Sequence, residues 1–531
     1  MAQGRLARAP SPEGSLCPRF DRAAMAAKQA EGELCGRDAP SRCVLLWMWW
    51  PFLLGHALEW YEYGIFGYLT IFMKDNFFGG SSLATWFGFA MTFVGRPLGG
   101  VVLGRIADVA GRRKATLLSM TGMLVATVGQ GLLPSYVCCG DAAGALGLYV
   151  LMGLRFLQGL SAGGEMSAVA AYVAETAPRR HLAVSMSTLS AIGVFAFLLA
   201  DGVALLSEEL LGQERMVRWG WRLPFLASLG PGLLSLWGRL RLPETEEFLC
   251  EQRRLRGFAE AGTKPGAQEA GLSRRAVAEF CTLHGRAALV GFGASAGIGT
   301  TFYVGLVWCP AHLKEAGMDP TTAGCIGALG NAVALLTLLL AAHLGDVVGI
   351  GYCKLLGFAG GAVLGVPLFA ALAANPNSAL AGFLCVSLGC GLLGGLQGSA
   401  MLLFCAELFP APVRALGFGL SYNLSVAVFG GLGGVLAEAS LRATPLGPGL
   451  LLSCTSLLSL ASVVAALLLQ SRGALRLSHV RGAPLLRTCR SSPRGPAPGA
   501  EKAGPGTAAA ECEAAGASDG EAAAADEAVA V

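Results

Sequence analysis

The apolar, aromatic-rich stretch LGHALEWYEYGIF (Leu54–Phe66) holds one histidine and two glutamates. Glu59 and Glu62 fall near the middle of a run long enough to cross a bilayer. A charge at that depth costs about 2.5 kcal/mol or more, so an ionisable group there faces a cavity or a partner. A carboxyl so placed can hold a proton and release it when its surroundings open to water. On a 100° helical step His56, Glu59 and Tyr63 fall within about 60° of arc, and Glu62 lies about 60° beyond Glu59. The chemistry on offer is proton or substrate binding by at least one glutamate. The structural alternative is a glutamate hydrogen-bonded to another helix.

A second apolar run supplies the counter-charge. In RFLQGLSAGGE (Arg155–Glu165), Arg155, Gln158, Ala162 and Glu165 fall within about 80° of one helical face. Arg155 is expected midway through the membrane, with Glu165 nearer the cytoplasm. A buried guanidinium stays charged and binds a carboxylate through two parallel hydrogen bonds. It could hold a substrate carboxylate, or Glu59 or Glu62 when the site is empty; a static brace between helices is the alternative. A third cluster, GRIADVAGRRK (Gly104–Lys114), has the makings of a gate. Gly104 and Gly111 permit a tight turn. Asp108 sits at a helix end, where it can pair with a basic residue or a helix N-terminus. Arg112 and Arg113 can bind carboxylates on adjacent helix ends, Glu175 among them. A plain basic loop is the alternative.

Other polar positions are read more plainly. Arg96, in RPLGG, precedes a small-residue packing face. Asp201 is expected to reach the interface from the outer part of its span. Tyr303, Asn331, Gln397 and Asn423 could line a cavity or make hydrogen bonds between helices. Trp47, Trp49 and Trp50 read as an interfacial anchor.

These residues need membrane helices to position them. Of 531 residues, 54% are hydrophobic and 14% charged, and the mean hydropathy is +0.57. A soluble chain carries about a quarter charged residues. Apolar runs long enough to cross a core about 30 Å thick are expected at 44–73, 83–107, 115–134, 145–174, 183–206, 220–240, 287–310, 321–344, 353–374, 378–406, 414–437 and 447–470. The 75 glycines suit close helix packing.

The expected organisation is a cytoplasmic, disordered N-terminal tail (1–42) and a six-helix bundle (43–240). A cytoplasmic central loop (241–286), a second six-helix bundle (287–470) and a disordered cytoplasmic tail (471–531) follow. The basic residues choose the orientation: Arg112, Arg113 and Lys114, then Arg179 and Arg180, then the long central loop, while Ser135–Gly144 has neither Lys nor Arg. Gly345–Lys354 (GDVVGIGYCK) repeats the gate loop faintly in the second half, without the arginine pair. Two parallel halves imply a site between them near the midplane.

Much is excluded. The net charge of +4 is spread thinly, so nucleic acid is not an expected partner. No CxxC pair or metal-ligand spacing occurs among the 16 cysteines, and no metal is expected. Cys138 and Cys139 are adjacent, which strains a mutual disulfide, so small apolar residues are the expectation. There is no GxxxxGK[ST] sequence for ATP-driven transport, no catalytic constellation and no cofactor to expect.

Several motifs in order resemble one family. They are GHALEWYEYGIFGYL, RPLGG, RFLQGLSAGGE, YVAETAP (Tyr172–Pro178), WGWRLPF (Trp219–Phe225), PETEEF (Pro243–Phe248) and AELFPAPVRALGFGLSYN (Ala406–Asn423). With the GRIADVAGRRK loop they are similar to the metabolite:proton symporters of the major facilitator superfamily, over about residues 50–440. That family includes proline/betaine, α-ketoglutarate, citrate and shikimate transporters. The resemblance implies a twelve-helix, all-α major facilitator fold in two six-helix halves. It implies a secondary transporter rather than an enzyme, carrying a small carboxylate or zwitterion by alternating access and driven by the proton gradient. It points to both glutamates, with an acid usual at Glu62, and its RxxQG pattern, here Arg155 to Gly159, is associated with proton coupling. The expected partners are the solute, protons and the lipid of a plasma membrane, for a monomer. A uniporter of a similar solute and a transporter-like sensor are the alternative readings.

Overall fold

The computed structural model of the chain describes residues 42–110, 112–165, 182–241, 274–409 and 414–472, together with 475 and 477. Among the described residues the helices fall into twelve rods. The first half has α1 (Arg42–Tyr68, continued by Thr70–Phe77), α2 (Ser82–Ala110), α3 (Arg112–Gly131), α4 (Tyr136–Ala162), α5 (Leu182–Arg215) and α6 (Leu229–Leu240). The second half has α7 (Arg274–Thr300, continued to Glu315), α8 (Pro320–Val348), α9 (Ile350–Ala374), α10 (Ala379–Gly382, continued to Glu407), α11 (Arg414–Ser425, continued to Ala443) and α12 (Gly447–Ser471). Among the described residues, seven helices are long and apolar enough to cross a membrane unaided, and up to nine if two bent pairs each count as one span.

Boundaries differ from expectation in several places: α5 runs nine residues past the expected 206 to Arg215, and α6 begins at Leu229, nine residues after the expected 220. α4 begins at Tyr136, nine residues before the expected 145, because Ser135 caps its first turn and Gly140 at φ 79° lets two helical pieces join. α7 begins at Arg274, inside the segment expected as loop. Cys138 and Cys139, expected to be unpaired, are joined as a vicinal disulfide.

Glycines set the helix spacing that the site depends on. A Cβ on Gly159 of α4 would lie 1.7 Å from the Thr92 carbonyl oxygen of α2, and one on Gly163 would lie 2.0 Å from that of Arg96. From the other side, a Cβ on Gly99 would meet the Leu160 carbonyl at 1.9 Å. Such close backbone approach is what small residues permit in membrane helices. The RPLGG segment therefore packs as expected, and in doing so it brings Arg96 to the same depth as the face of α4.

Large apolar side chains such as Leu132, Tyr149, Leu289, Leu340 and Val363 are turned outward, as in helices whose solvent is lipid. Trp49 is not part of that outer surface: it is 3% exposed. Trp50 packs on α6, where a Cβ at Gly238 would lie 2.5 Å from its ring. Tryptophans expected at the interface are thus used inside the bundle; Trp47 has no described side chain.

Candidate functional site

Two buried polar groups meet inside the first half, and α1 supplies a glutamate to each. Glu59 Oε1 lies 2.9 Å from Arg96 Nη2 of α2, with both side chains fully buried. Trp60 Nε1 donates to His56 Nε2 at 3.0 Å. The neutral ring must then carry its proton on Nδ1, which faces Glu59 Oε2 at 3.7 Å. The Arg96 guanidinium lies over Trp60 at 5.8 Å and over Tyr63 at 5.4 Å. Among the described residues, neither Glu59 oxygen and none of the three Arg96 nitrogens has an aligned hydrogen bond. The pair is held by charge and proximity, and its hydrogen-bonding capacity is unspent.

Glu62 has a different environment. Gln158 Nε2 donates to Glu62 Oε2 at 2.9 Å and to Thr127 Oγ1 at 3.2 Å. Arg155 Nη1 donates to Gln158 Oε1 at 2.9 Å, and its Nη2 donates to the Phe89 carbonyl at 3.1 Å. Its guanidinium stacks over Phe66 at 4.1 Å. The expected meeting of α1 and α4 is present, but Gln158 stands between Arg155 and Glu62. The cation that touches an α1 glutamate directly is Arg96, which the sequence suggested only as a packing residue. Its neighbouring glycines gave a sufficient reason for RPLGG, and that reason hid the second one.

Glu165, expected on the same helical face, lies three residues beyond the end of α4 and is paired elsewhere. Arg239 of α6 donates to its Oε1 in a buried ion pair, and Ser119 Oγ lies 3.2 Å from its Oε2 while its one hydrogen is also claimed by the Ser161 carbonyl at 2.6 Å. Arg239 was missed because it sits beside Arg241 at the end of a span, where basic residues are ordinary. Asp201 does not reach an interface: it is 3% exposed, against α8.

A cavity of about 80 Å³ lies between the halves. His56, Trp60 and Phe197 wall it from the first half, and Phe302, Tyr303 and Tyr422 from the second. Of the expected lining residues, Tyr303 is there; Asn331, Gln397 and Asn423 are buried elsewhere in the second half. Two wall segments, Thr301–Trp308 and Val426–Gly431, are π-helical, a distortion frequent at functional sites. A third wall is broken: α10 stops at Gly398 and restarts at Met401, and Ala400 between them is left-handed at φ 50°. Ser187 Oγ of α5 accepts from the Ala400 amide at 2.8 Å, tying the break to the other half. Tyr303 also packs edge-on against Phe93 at 5.3 Å and Phe197 at 6.0 Å. Arg96 is one side chain behind this wall, under Trp60.

The gate cluster is described only in part. Gly104 and Asp108 lie on α2 and Arg112 begins α3, without described side chains; Gly111 and Glu175 lie outside the described residues. Arg113 Nη2 donates to the Leu240 carbonyl at 2.5 Å, at the C-terminal end of α6. On the opposite side of the bundle, ion pairs join the halves: Lys74 to Glu315 and Lys314 to Glu208, each at 2.8 Å.

A buried ion pair thus stands behind a small cavity between two six-helix halves. The profile of the sugar (and other) transporter family matches residues 49–440. The chain is similar to the ectoine/proline transporter ProP of Corynebacterium glutamicum, 32% identical over 405 residues, covering 74% of this chain and 78% of that one. It is similar to the alpha-ketoglutarate permease of Escherichia coli, 31% identical over 387 residues, covering 71% and 83%. The solved structure of the proton:xylose symporter XylE with 6-bromo-6-deoxy-D-glucose superposes with a TM-score of 0.61 at 17% identity, covering 82% of this chain and 96% of that one. The chain belongs to the sugar (and other) transporter family of the major facilitator superfamily. It is a multi-pass membrane transporter with the major facilitator fold, from a family of transporters and not of enzymes.

Proposed function

We propose that this protein is a proton-coupled symporter of a small zwitterion that carries a carboxylate and a cationic nitrogen. One observation carries the reading: an aromatic cavity backed by the buried Glu59–Arg96 pair. Trp60, Phe197, Phe302, Tyr303 and Tyr422 line the cavity. A desolvated ammonium over the face of such a ring gains about 2 kcal/mol per good contact. The carboxylate end then needs a cation, and Arg96 has donors to spare. A dicarboxylate would need a second cation, and Arg155 is already engaged by Gln158 and the Phe89 carbonyl. The similarity to an ectoine/proline transporter points the same way.

Coupling follows from competition for Arg96. With Glu59 ionised, the guanidinium is neutralised in place. A proton on Glu59, relayed through the Nδ1 side of His56 or through water, frees Arg96 to take the solute carboxylate. Proton and solute then bind together: the solute carboxylate replaces Glu59 as the counter-ion of Arg96, and the one added positive charge, on the solute nitrogen, rests among the aromatic rings of the cavity. The sequence favoured Glu62 as the carrier. The ion pair favours Glu59, and Glu62 with Gln158 and Arg155 becomes the support that holds α1 against α4.

The test is a panel in proteoliposomes with an imposed inward proton gradient, using labelled glycine betaine, proline and α-ketoglutarate. The proposal expects gradient-dependent accumulation of one of the zwitterions and none of α-ketoglutarate. Accumulation of the dicarboxylate alone, or equal uptake with and without the gradient, would contradict it.

A further inference from the structure

Asp201 takes no part in the function proposed above. It lies in the outer half of α5, roughly 28 Å along the helix from its start. The residue is 3% exposed, and its Oδ2 has no hydrogen-bond partner. Across the seam between the halves stands Gly327 of α8, where a Cβ would come within 3.0 Å of that oxygen. One helical turn further on is Asn331, fully buried. Its Nδ2 donates to the Tyr68 hydroxyl of α1 at 2.8 Å and to the Gly327 carbonyl at 3.2 Å. Its Oδ1, like the aspartate oxygen, receives no donor. The Tyr68 hydroxyl points its own hydrogen at the Leu306 carbonyl, at 3.5 Å.

Each half therefore brings one buried acceptor oxygen to the same seam, that of Asp201 against Gly327 and that of Asn331 one turn along α8, while Asn331 Nδ2, the Tyr68 hydroxyl and Lys314 are committed elsewhere. An unmet buried acceptor costs about 1–3 kcal/mol, and more for a charged one. A single hydrogen between them would satisfy both, and a carboxyl can supply it when protonated. We propose that Asp201 holds a proton in the closed seam and donates it to Asn331 Oδ1, forming a proton-binding site between the halves that is separate from Glu59 and Glu62.

The charges around Asp201 are compatible with this. Lys314 of α7 and Glu208 on its own helix act on it, and Asp201 acts in turn on Tyr68 of α1. α8 meets it with the uncharged Gly327 and Asn331. Lys314 is engaged by both oxygens of Glu208, at 2.8 and 2.9 Å, so it does not supply an unshared positive charge. Opening the outer seam would hydrate Asp201 and let it lose the proton; closing would take one up.

Infrared difference spectroscopy on the full-length purified protein tests the site without any solute. Asp201→Asn keeps the shape, and its amide can still donate to Asn331. Near pH 7 the wild type should show a protonated-carboxyl C=O stretch that is lost in Asp201→Asn, with both glutamates untouched. Asn331→Ala removes the acceptor and should move that band to higher frequency, which keeps the test open if Asp201→Asn does not fold. A difference spectrum containing only carboxylate stretches would overturn the proposal. So would carboxylate bands that shift on adding sodium, which would assign the gap to a cation. Because no solute enters the measurement, its outcome is independent of the zwitterion and Glu59 readings.

Discussion

Removing the cation beside Glu59 leaves a buried charge without compensation, and that cost separates Arg96 from Arg155. Breaking a buried pair from one side costs about 3–5 kcal/mol. Arg96→Gln should therefore destabilise the protein by about that much, and Glu59→Gln added to it should recover most of the loss. Thermal unfolding of the two single variants and the double variant gives the coupling directly. Arg96→Lys tests binding: the charge remains but the planar fork is lost, so solute affinity should fall about tenfold or more in equilibrium binding. Arg155→Lys should leave affinity nearly unchanged, because the wild-type group is spent on Gln158 and a carbonyl. Wild-type affinity in Arg96→Lys together with a large loss in Arg155→Lys would reverse the assignment. At this scale the acids were legible, since a glutamate in an apolar run stands out. The span-four face that meets Glu62 was legible too, but Arg96 and Arg239 were not, because an arginine next to glycines, or at the end of a span, has an ordinary explanation available.

The helices place those side chains through backbone contact. Gly159→Ala would put a methyl into the Thr92 carbonyl, and neither is the end of a flexible side chain. α2 and α4 must separate, which shifts Arg96 and Gln158 together. The expected result is lower thermal stability and loss of transport. Gly153→Ala on the same helix is the control: nothing lies within 4 Å of its Cβ position, so both properties should be kept. The break in α10 is a second element-level device. A left-handed non-glycine residue costs about 1–2 kcal/mol, and Ser187 holds Ala400 there from the opposite half. Ser187→Ala should destabilise by about 1 kcal/mol in a thermal unfolding assay, and an unchanged midpoint would remove this tie from the account. The rods themselves were largely visible as apolar runs. The break at Ala400 and the π-helical walls were not, because they depend on contacts across the seam and not on local sequence.

Across the whole molecule, the two halves are joined by charges on one side and approached by the partly described gate loop on the other. On the orientation expected from the charge bias of the loops, the Lys74–Glu315 and Lys314–Glu208 side would be the outer one. Glu315→Lys places like charges opposite Lys74 and should raise the outward-open fraction, read by cysteine labelling from outside. Lys74→Glu added to it should restore the wild-type ratio. Asp108→Asn should act in the opposite sense, loosening the inner side while expression stays nearly intact; an unchanged inward-to-outward ratio would remove Asp108 from the gate. The symmetry of two halves could be read from the faint loop repeat, whereas the outer ion pairs join residues 241 and 106 positions apart and leave no local trace.

The central claim is that a proton on Glu59 releases Arg96 to the solute, and uptake by Glu59→Gln tests it most directly. Glutamine mimics the protonated carboxyl and cannot release a proton. In proteoliposomes preloaded with the transported zwitterion, Glu59→Gln should exchange labelled for unlabelled solute at equal pH. Under an imposed proton gradient it should fail to concentrate that solute, while Glu62→Gln still does so. If Glu59→Gln concentrates the solute against its gradient as the wild type does, Glu59 is not the coupling group and the account is wrong at its centre.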